Sequence, residues 1–139
     1  MFKKTIFNKI MKNGNKQTAE KLLFKSIKKI QKLNKKKNYK DVLKLSIVNS
    51  SPVVYLKKIQ RKKKRSIEFP FLLSLKNRLS YGLKNIINCS NKINQNSFYH
   101  NFTLELLNSS KKISQSVSKQ KNVHQESFIK KKFSNYRWF

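Results

Sequence analysis

The chain has 139 residues, with 34 Lys and Arg against 5 Asp and Glu, for a formal net charge of +29. A compact state with that charge repels itself and calls for a polyanion nearby; a nucleic-acid backbone fits, because each neutralised phosphate also releases counterions. The 37% hydrophobic share argues against full disorder and allows a modest core, no apolar run approaches the ~18–20 residues of a membrane span, and the lone Cys89 excludes an intramolecular disulfide or a Cys-rich zinc site.

Two Gly and two Pro leave few punctuators, which favours helices over a many-turned β fold. Residues 5–12 form a short apolar and basic segment, expected to make about two helical turns, before Gly14 interrupts it. Ala19, Leu22, Leu23, Ile27, Ile30 and Leu33 then recur at spacings of three and four with lysines on the opposite face, the clearest amphipathic helix of the chain. After the Lys/Asn loop of 34–38, a third helix is expected through Val48, with Asp41 at its cap or in its first turn.

From Pro52 to Pro70 the pattern changes. Val53, Val54, Tyr55 and Leu56 are β-prone, and Ile67, Glu68 and Phe69 resume after Arg61, Lys62, Lys63, Lys64 and Arg65. Two β-prone arms around a cationic tip predict a protruding hairpin over approximately 52–70. Leu72, Leu75, Leu79, Leu83 and Ile86 mark a fourth helix, and 91–97 a polar loop. Phe98, Phe102, Leu106 and Ile113 follow one face of a fifth helix. A sixth runs through Val117, His124 and Phe128 and ends in Lys130, Lys131 and Lys132. The expected fold is mainly α: a single domain over 1–139, six helices with one protruding basic β-hairpin between the third and fourth.

The carboxylates Glu20, Asp41, Glu68, Glu105 and Glu126 are scattered, with none of the convergence that a two-metal nuclease needs. Gly14 lacks the pattern of a phosphate-binding P-loop, and His100 and His124 lack neighbouring Cys or paired carboxylates. No motif supports a nucleophile–base pair between Cys89 and either His. The chain reads as a binder with no cofactor, no metal and no catalytic residue. Lys, Asn, Ile, Phe and Tyr, frequent here, have A/T-rich codons, so part of the lysine content reflects coding bias.

The stretch from Phe7 through Gly14 and Lys16 into Ala19, Leu22, Leu23, Ile27 and Ile30 resembles the first two helices of the small-subunit ribosomal protein seven family: a short helix, a Gly-Lys loop and a second helix with paired aliphatics. Pro52 stands where the family's hairpin opens and Phe69-Pro70 where it closes. A long helix with Arg78 and Gly82-Leu83 follows, and His124, Phe133, Tyr136 and Arg137 keep the family's spacing. The terminal Arg137-Trp138-Phe139 looks like mitochondrial members. The chain departs from the family in its hairpin tip, which has no Gly, and in an almost absent arm before the first helix.

The resemblance implies a structural constituent of the small ribosomal subunit that binds the 3′ major domain of its rRNA, helps assemble the subunit head, and lies near the E site and the mRNA exit path. Implied partners are that rRNA, neighbouring head proteins and, transiently, mRNA and E-site tRNA, with no membrane and no small-molecule substrate. The implied rRNA anchors are Lys3, Lys4, Lys9, Lys12, Asn13, Gly14 and Lys16 around the first helix and its loop. Lys57, Lys58, Arg61, Lys62, Lys63, Lys64 and Arg65 follow in the hairpin, Arg78 in the fourth helix, and Lys130, Lys131, Lys132 and Arg137 near the end. The short N-terminus leaves little room for a transit peptide, so an organelle-encoded protein is expected, mitochondrial before plastid. The alternative, a helix-turn-helix DNA binder, requires polar base-reading side chains on a recognition helix, and the second helix exposes mostly lysines.

Overall fold

The computed structural model describes residues 2–35, 38–59, 66–93 and 97–135, with the side chains of the first helix from Thr5 onward. Among them are six α-helices: α1 (Phe2–Ile10), α2 (Lys16–Leu33), α3 (Tyr39–Ser50), α4 (Leu75–Lys92), α5 (Phe98–Ser110) and α6 (Gln115–Ile129). A short 3-10 helix (Lys131–Phe133) follows α6. Strands β1 (Val54–Ile59) and β2 (Ile67–Leu72) pair antiparallel between α3 and α4, in a register that sets Val54 opposite Leu72 and Ile59 opposite Ile67. The expected mainly α architecture with one inserted hairpin is the one observed.

Helix α5 is the centre, packed against α2, α3, α4 and α6. Phe102 is the largest fully buried side chain among the described residues, and Leu106 and Leu107 extend the core from the same helix. Ile6 and Ile10 of α1, Leu23, Ile27 and Ile30 of α2, Val42, Leu43 and Ile47 of α3, and Leu83, Ile86 and Ile87 of α4 complete it. Cys89 is buried in α4.

A modest apolar share suffices because serines fill the helix contacts. Ser26, Ser90, Ser109 and Ser127 are buried, and each hydroxyl donates to the carbonyl four residues back, on Leu22, Ile86, Glu105 and Val123, at 2.9, 2.8, 2.6 and 2.6 Å. Such back-bonding satisfies the hydroxyl within its own helix, so a small side chain can be buried where neighbouring helices approach closely. Gly82 is the extreme case. A Cβ there would stand 2.9 Å from the Ile47 carbonyl oxygen, and closer still to the Ser51 hydroxyl. The Gly82 position thus sets the approach of α4 to the end of α3.

Several boundaries differ from the sequence expectation. Helix α1 ends at Ile10, two residues before position 12, because Asn13 (φ 51°) and Gly14 (φ 72°) turn the chain through the left-handed region. Helix α3 runs from Tyr39 to Ser50, so Asp41 falls in its first turn and Asn38 at the N-cap position. Leu72, expected to open the fourth helix, is the last residue of β2 and 82% exposed. The pairing outlasts Pro70 because Leu73 N–H donates to the Val53 carbonyl at 3.0 Å. Ile113, expected on α5, lies beyond it and is 77% exposed. There the chain closes in a Schellman arrangement: Lys112 takes φ 64°, and Ile113 N–H donates to Asn108 O and Lys112 N–H to Ser109 O. Leu33 and Phe128 fit the helical spacing yet are exposed, Leu33 as the last residue of α2 and Phe128 at an open hollow that it lines with Val53, Val54 and Leu72.

Candidate nucleic-acid interface

Three structural settings hold the candidate cations. The first is α1 and the turn after it. Residues 11–18 are all exposed, and the turn closes with Asn15 N–H donating to Lys12 O at 3.1 Å. Two consecutive left-handed residues, Asn13 and Gly14, bring the chain directly into α2 at Lys16. Asn15 makes no side-chain hydrogen bond to the first turn of α2, so the leading N–H groups of that helix are free of a side-chain cap, with Lys12 and Lys16 beside them. An uncapped helix N-terminus flanked by ammonium groups attracts anions.

On the other side of α1, Lys9 and Lys76 of α4 line one depression of about 280 Å³, whose floor is Ile47, Leu79 and Leu83. Sequence reading missed Lys76. Its signal was the step of three to Leu79 and seven to Leu83, which sets it at the rim of the face that buries those leucines. Lys12 lines a second hollow of about 220 Å³ with Ile10, Thr18, Leu22 and Phe98. Arg78 is half-buried in the first turn of α4. Lys3 and Lys4 belong to α1, and their side chains lie outside the described set.

The hairpin is the second setting. Its base is fixed from several directions. Val53 N–H donates to His124 Nε2 of α6 at 3.0 Å. The Phe69 ring meets Phe133 edge-on at 5.7 Å between centroids, and Tyr55 meets Tyr81 of α4 at 5.1 Å. Burial, and then the neighbouring Tyr55, push the Tyr81 phenol above its ordinary value. Lys57 and Lys58 are exposed on β1. The tip cations Arg61, Lys62, Lys63, Lys64 and Arg65 lie outside the described residues.

Third is the end of α6. Lys130 and Lys58 converge on one carboxylate: Glu68 pairs with Lys58 at 3.1 Å and with Lys130 through its other oxygen. These bonds, Lys130 first, hold Glu68 below the usual carboxylate range, although partial burial opposes them. Both ion pairs found among the described residues belong to Glu68. Lys131 and Lys132 are exposed, Lys132 over the Phe133 ring at 5.2 Å, while Arg137 lies outside the described residues.

Other polar groups join one element to another. Glu105 is buried and accepts the Ser116 backbone N–H at 3.0 Å, while the Ser116 hydroxyl bonds Ser50 at 3.0 Å and Ser114 at 2.8 Å. This cluster locks the start of α6 onto α3 and α5. His100 meets Lys29, and His124 meets the hairpin. Among the described residues no group of three or more His, Cys, Asp or Glu is placed to hold a metal ion, and no helix is long and apolar enough to cross a membrane. What the arrangement offers, among the described residues and apart from Lys58 and Lys130, is a set of ammonium groups with no carboxylate partner on a helical scaffold, suited to phosphates.

Comparison with known proteins agrees with that chemistry. The family model described as Ribosomal protein S7p/S5e matches residues 2–128. The chain is similar to small ribosomal subunit protein uS7 of Xylella fastidiosa (strain 9a5c), at 28% identity over 131 residues, 94% of this chain and 83% of that protein. It is 25% identical to uS7 of Phytoplasma australiense over 133 residues, covering 96% and 84% of the two chains. It is also 28% identical to uS7c of Euglena longa over 116 residues, covering 84% and 65%.

Proposed function

Since the chain belongs to the ribosomal protein S7p/S5e family, and is thereby a small-subunit ribosomal protein and not an enzyme, we propose that it binds the 3′ major domain of small-subunit rRNA and helps build the subunit head. Family membership takes the place of the helix-turn-helix alternative. Residues 1–139 act as one RNA-binding domain in this reading. The observation that carries it is that Lys9 and Lys76, distant in sequence, line one depression between α1 and α4, while the uncapped start of α2 carries Lys12 and Lys16. None of these four cations has a carboxylate partner among the described residues. Their role is to neutralise phosphates, while Asn13 and Gly14 let the backbone of the turn approach the RNA closely.

The hairpin supplies the second contact. Its base is anchored to α4 and α6, and Lys57 with the tip cations Arg61, Lys62, Lys63, Lys64 and Arg65 serves an irregular RNA groove read by shape. The two arginines add bidentate phosphate contacts, and the protein lies near the E site and the mRNA exit path. Arg78, Lys131, Lys132 and Arg137 complete the contacting set. Lys58 and Lys130 serve first to seat the hairpin through Glu68.

The setting we propose is a mitochondrial ribosome, with the gene in the organelle. The A/T-rich codon classes and the terminal Arg137-Trp138-Phe139 support it. The relatives matched are bacterial and chloroplast-type. Sedimentation with mitochondrial small subunits is the expected result, and recovery in plastid ribosomes would replace that location.

The direct test measures binding of the full chain to transcripts of the 3′ major domain and of another domain of the same rRNA. The 3′ transcript should bind more tightly, and log K should fall steeply with log salt, by about 0.7–0.9 for each phosphate contact. Equal affinity for the two transcripts would refute the domain assignment. A flat salt response would refute phosphate anchoring.

A further inference from the structure

The surfaces described so far leave one group of cations unused. Lys21, Lys25, Lys28, Lys29 and Lys32 lie on one side of α2, opposite the buried Ala19, Leu23, Ile27 and Ile30. At about 1.5 Å per residue, the stripe from Lys21 to Lys32 is about 16 Å long. One edge of it borders α5. There Lys25 and Lys29 stand over the Tyr99 ring, 5.9 and 5.6 Å from its centroid, and the Lys29 ammonium meets His100 Nδ1.

This crowding is unfavourable in the free protein. Lys21 with Lys25, Lys25 with Lys29, and Lys28 with Lys32 are like charges at helical spacing of four, which destabilise a helix. Both ion pairs among the described residues belong to Glu68, so no carboxylate there relieves the repulsion. A bound polyanion would. The stripe also lies apart from the α1–α4 depression, because α2 packs chiefly on α5.

We propose that the α2–α5 face is a second RNA-binding surface, a track for a phosphate backbone with Tyr99 and His100 at its edge. It rests on the reading of the chain as an rRNA-bound protein, but uses different residues. The Tyr99 hydroxyl and the His100 ring supply hydrogen-bonding groups beside the cations, suited to a ribose or a base edge. RNA fits better than a protein neighbour because the cores of protein interfaces are depleted in Lys, whereas phosphates are met by ammonium groups.

The test places a photo-reactive amino acid at Lys28, and separately at Lys76, in full-length protein assembled into small subunits. RNA cross-links are expected from both positions, at different nucleotides. Cross-links from Lys28 to protein alone, or none, with RNA still captured from Lys76, would overturn the α2 track and leave the α1–α4 reading intact. Failure to capture RNA from Lys76 would count against that first reading instead. A second measurement uses K21Q/K28Q/K32Q, three exposed positions whose loss leaves the core untouched. Its salt slope on an rRNA transcript should be shallower than the parent's by about 2, at about 0.7 per contact. An unchanged slope would overturn the proposal.

Discussion

Glu68 on β2 and Lys130 at the end of α6 form an ion pair that ties the hairpin to the C-terminal helix, and Lys58 on the neighbouring strand shares the same carboxylate. In a chain with 34 basic and 5 acidic residues, this carboxylate is spent inside the protein, holding in place the strands on either side of the cationic run 61–65. A pH dependence follows. Lys130, then Lys58, lower the Glu68 pKa, so the stabilisation is fully present above the ordinary carboxylate value and is lost as pH falls through the lower folded value. Glu68→Gln should abolish that part of the acid sensitivity and cost on the order of 0.5–1 kcal/mol near neutral pH, since the pair is partly exposed. Urea unfolding of parent and variant across the acidic range checks both. Parallel curves at all pH values would rule out the linkage.

Gly82→Ala tests how closely α4 approaches α3. The added methyl meets the Ile47 carbonyl oxygen, a backbone atom that cannot rotate away, and the Ser51 hydroxyl, which is already bonded to that same oxygen at 2.6 Å. Overpacking of this kind costs about 1–3 kcal/mol. Gly14→Ala is the contrasting case: nothing lies within 4 Å of the new Cβ, so the loss there is set by the left-handed backbone alone, about 1 kcal/mol. Thermal unfolding of the two variants separates a steric cost from a conformational one. A neutral Gly82→Ala would mean that the helices part freely.

Lys112→Gly should stabilise the protein. Lys112 occupies the left-handed position of the α5 closure at φ 64°, where a Cβ is penalised and Gly is the usual residue. The gain expected is about 0.5–1 kcal/mol, after the greater freedom of Gly in the unfolded chain offsets part of the relief. It would read as a rise in unfolding midpoint without a change in its denaturant slope. A lower midpoint would show that the Lys112 side chain makes a contribution larger than the backbone strain.

Gly14 and Lys112, both left-handed, also show what the sequence can and cannot reveal. The stripes of α2 and α4 were legible because Leu23, Ile27 and Ile30, like Leu83 and Ile86, repeat at helical spacing and are buried. The break at Gly14 was legible because glycine is the residue a left-handed turn favours. The end of α5 was not, since a Lys stands where a Gly would have announced the closure, and Ile113 continues the periodicity after the helix has stopped. Leu72 misled similarly. Its spacing to Leu75 suits a helix, but strand pairing claims it. The buried serines were invisible to a hydrophobic pattern, because their burial depends on local back-bonding. The meeting of Lys9 with Lys76 joins residues far apart in the chain, and only the packing of α1 on α4 brings it about.

Charge reversal at that meeting point should separate binding from folding. Lys9 is exposed on α1 and Lys76 on α4, neither has an ion pair among the described residues, and the leucines beneath them hold the helices together. Lys9→Glu with Lys76→Glu should therefore leave the helical content and unfolding midpoint near the parent's, while rRNA affinity falls at least tenfold, or about 1.4 kcal/mol. Reversing Arg61 and Arg65 tests the hairpin tip in the same way. Residues that share no partner contribute additively, so the four-fold variant should lose the product of the two separate factors. A loss no larger than that of either pair alone would mean that tip and depression engage the RNA as one coupled unit. Parent-like binding by the Lys9 and Lys76 variant would remove the depression from the interface altogether.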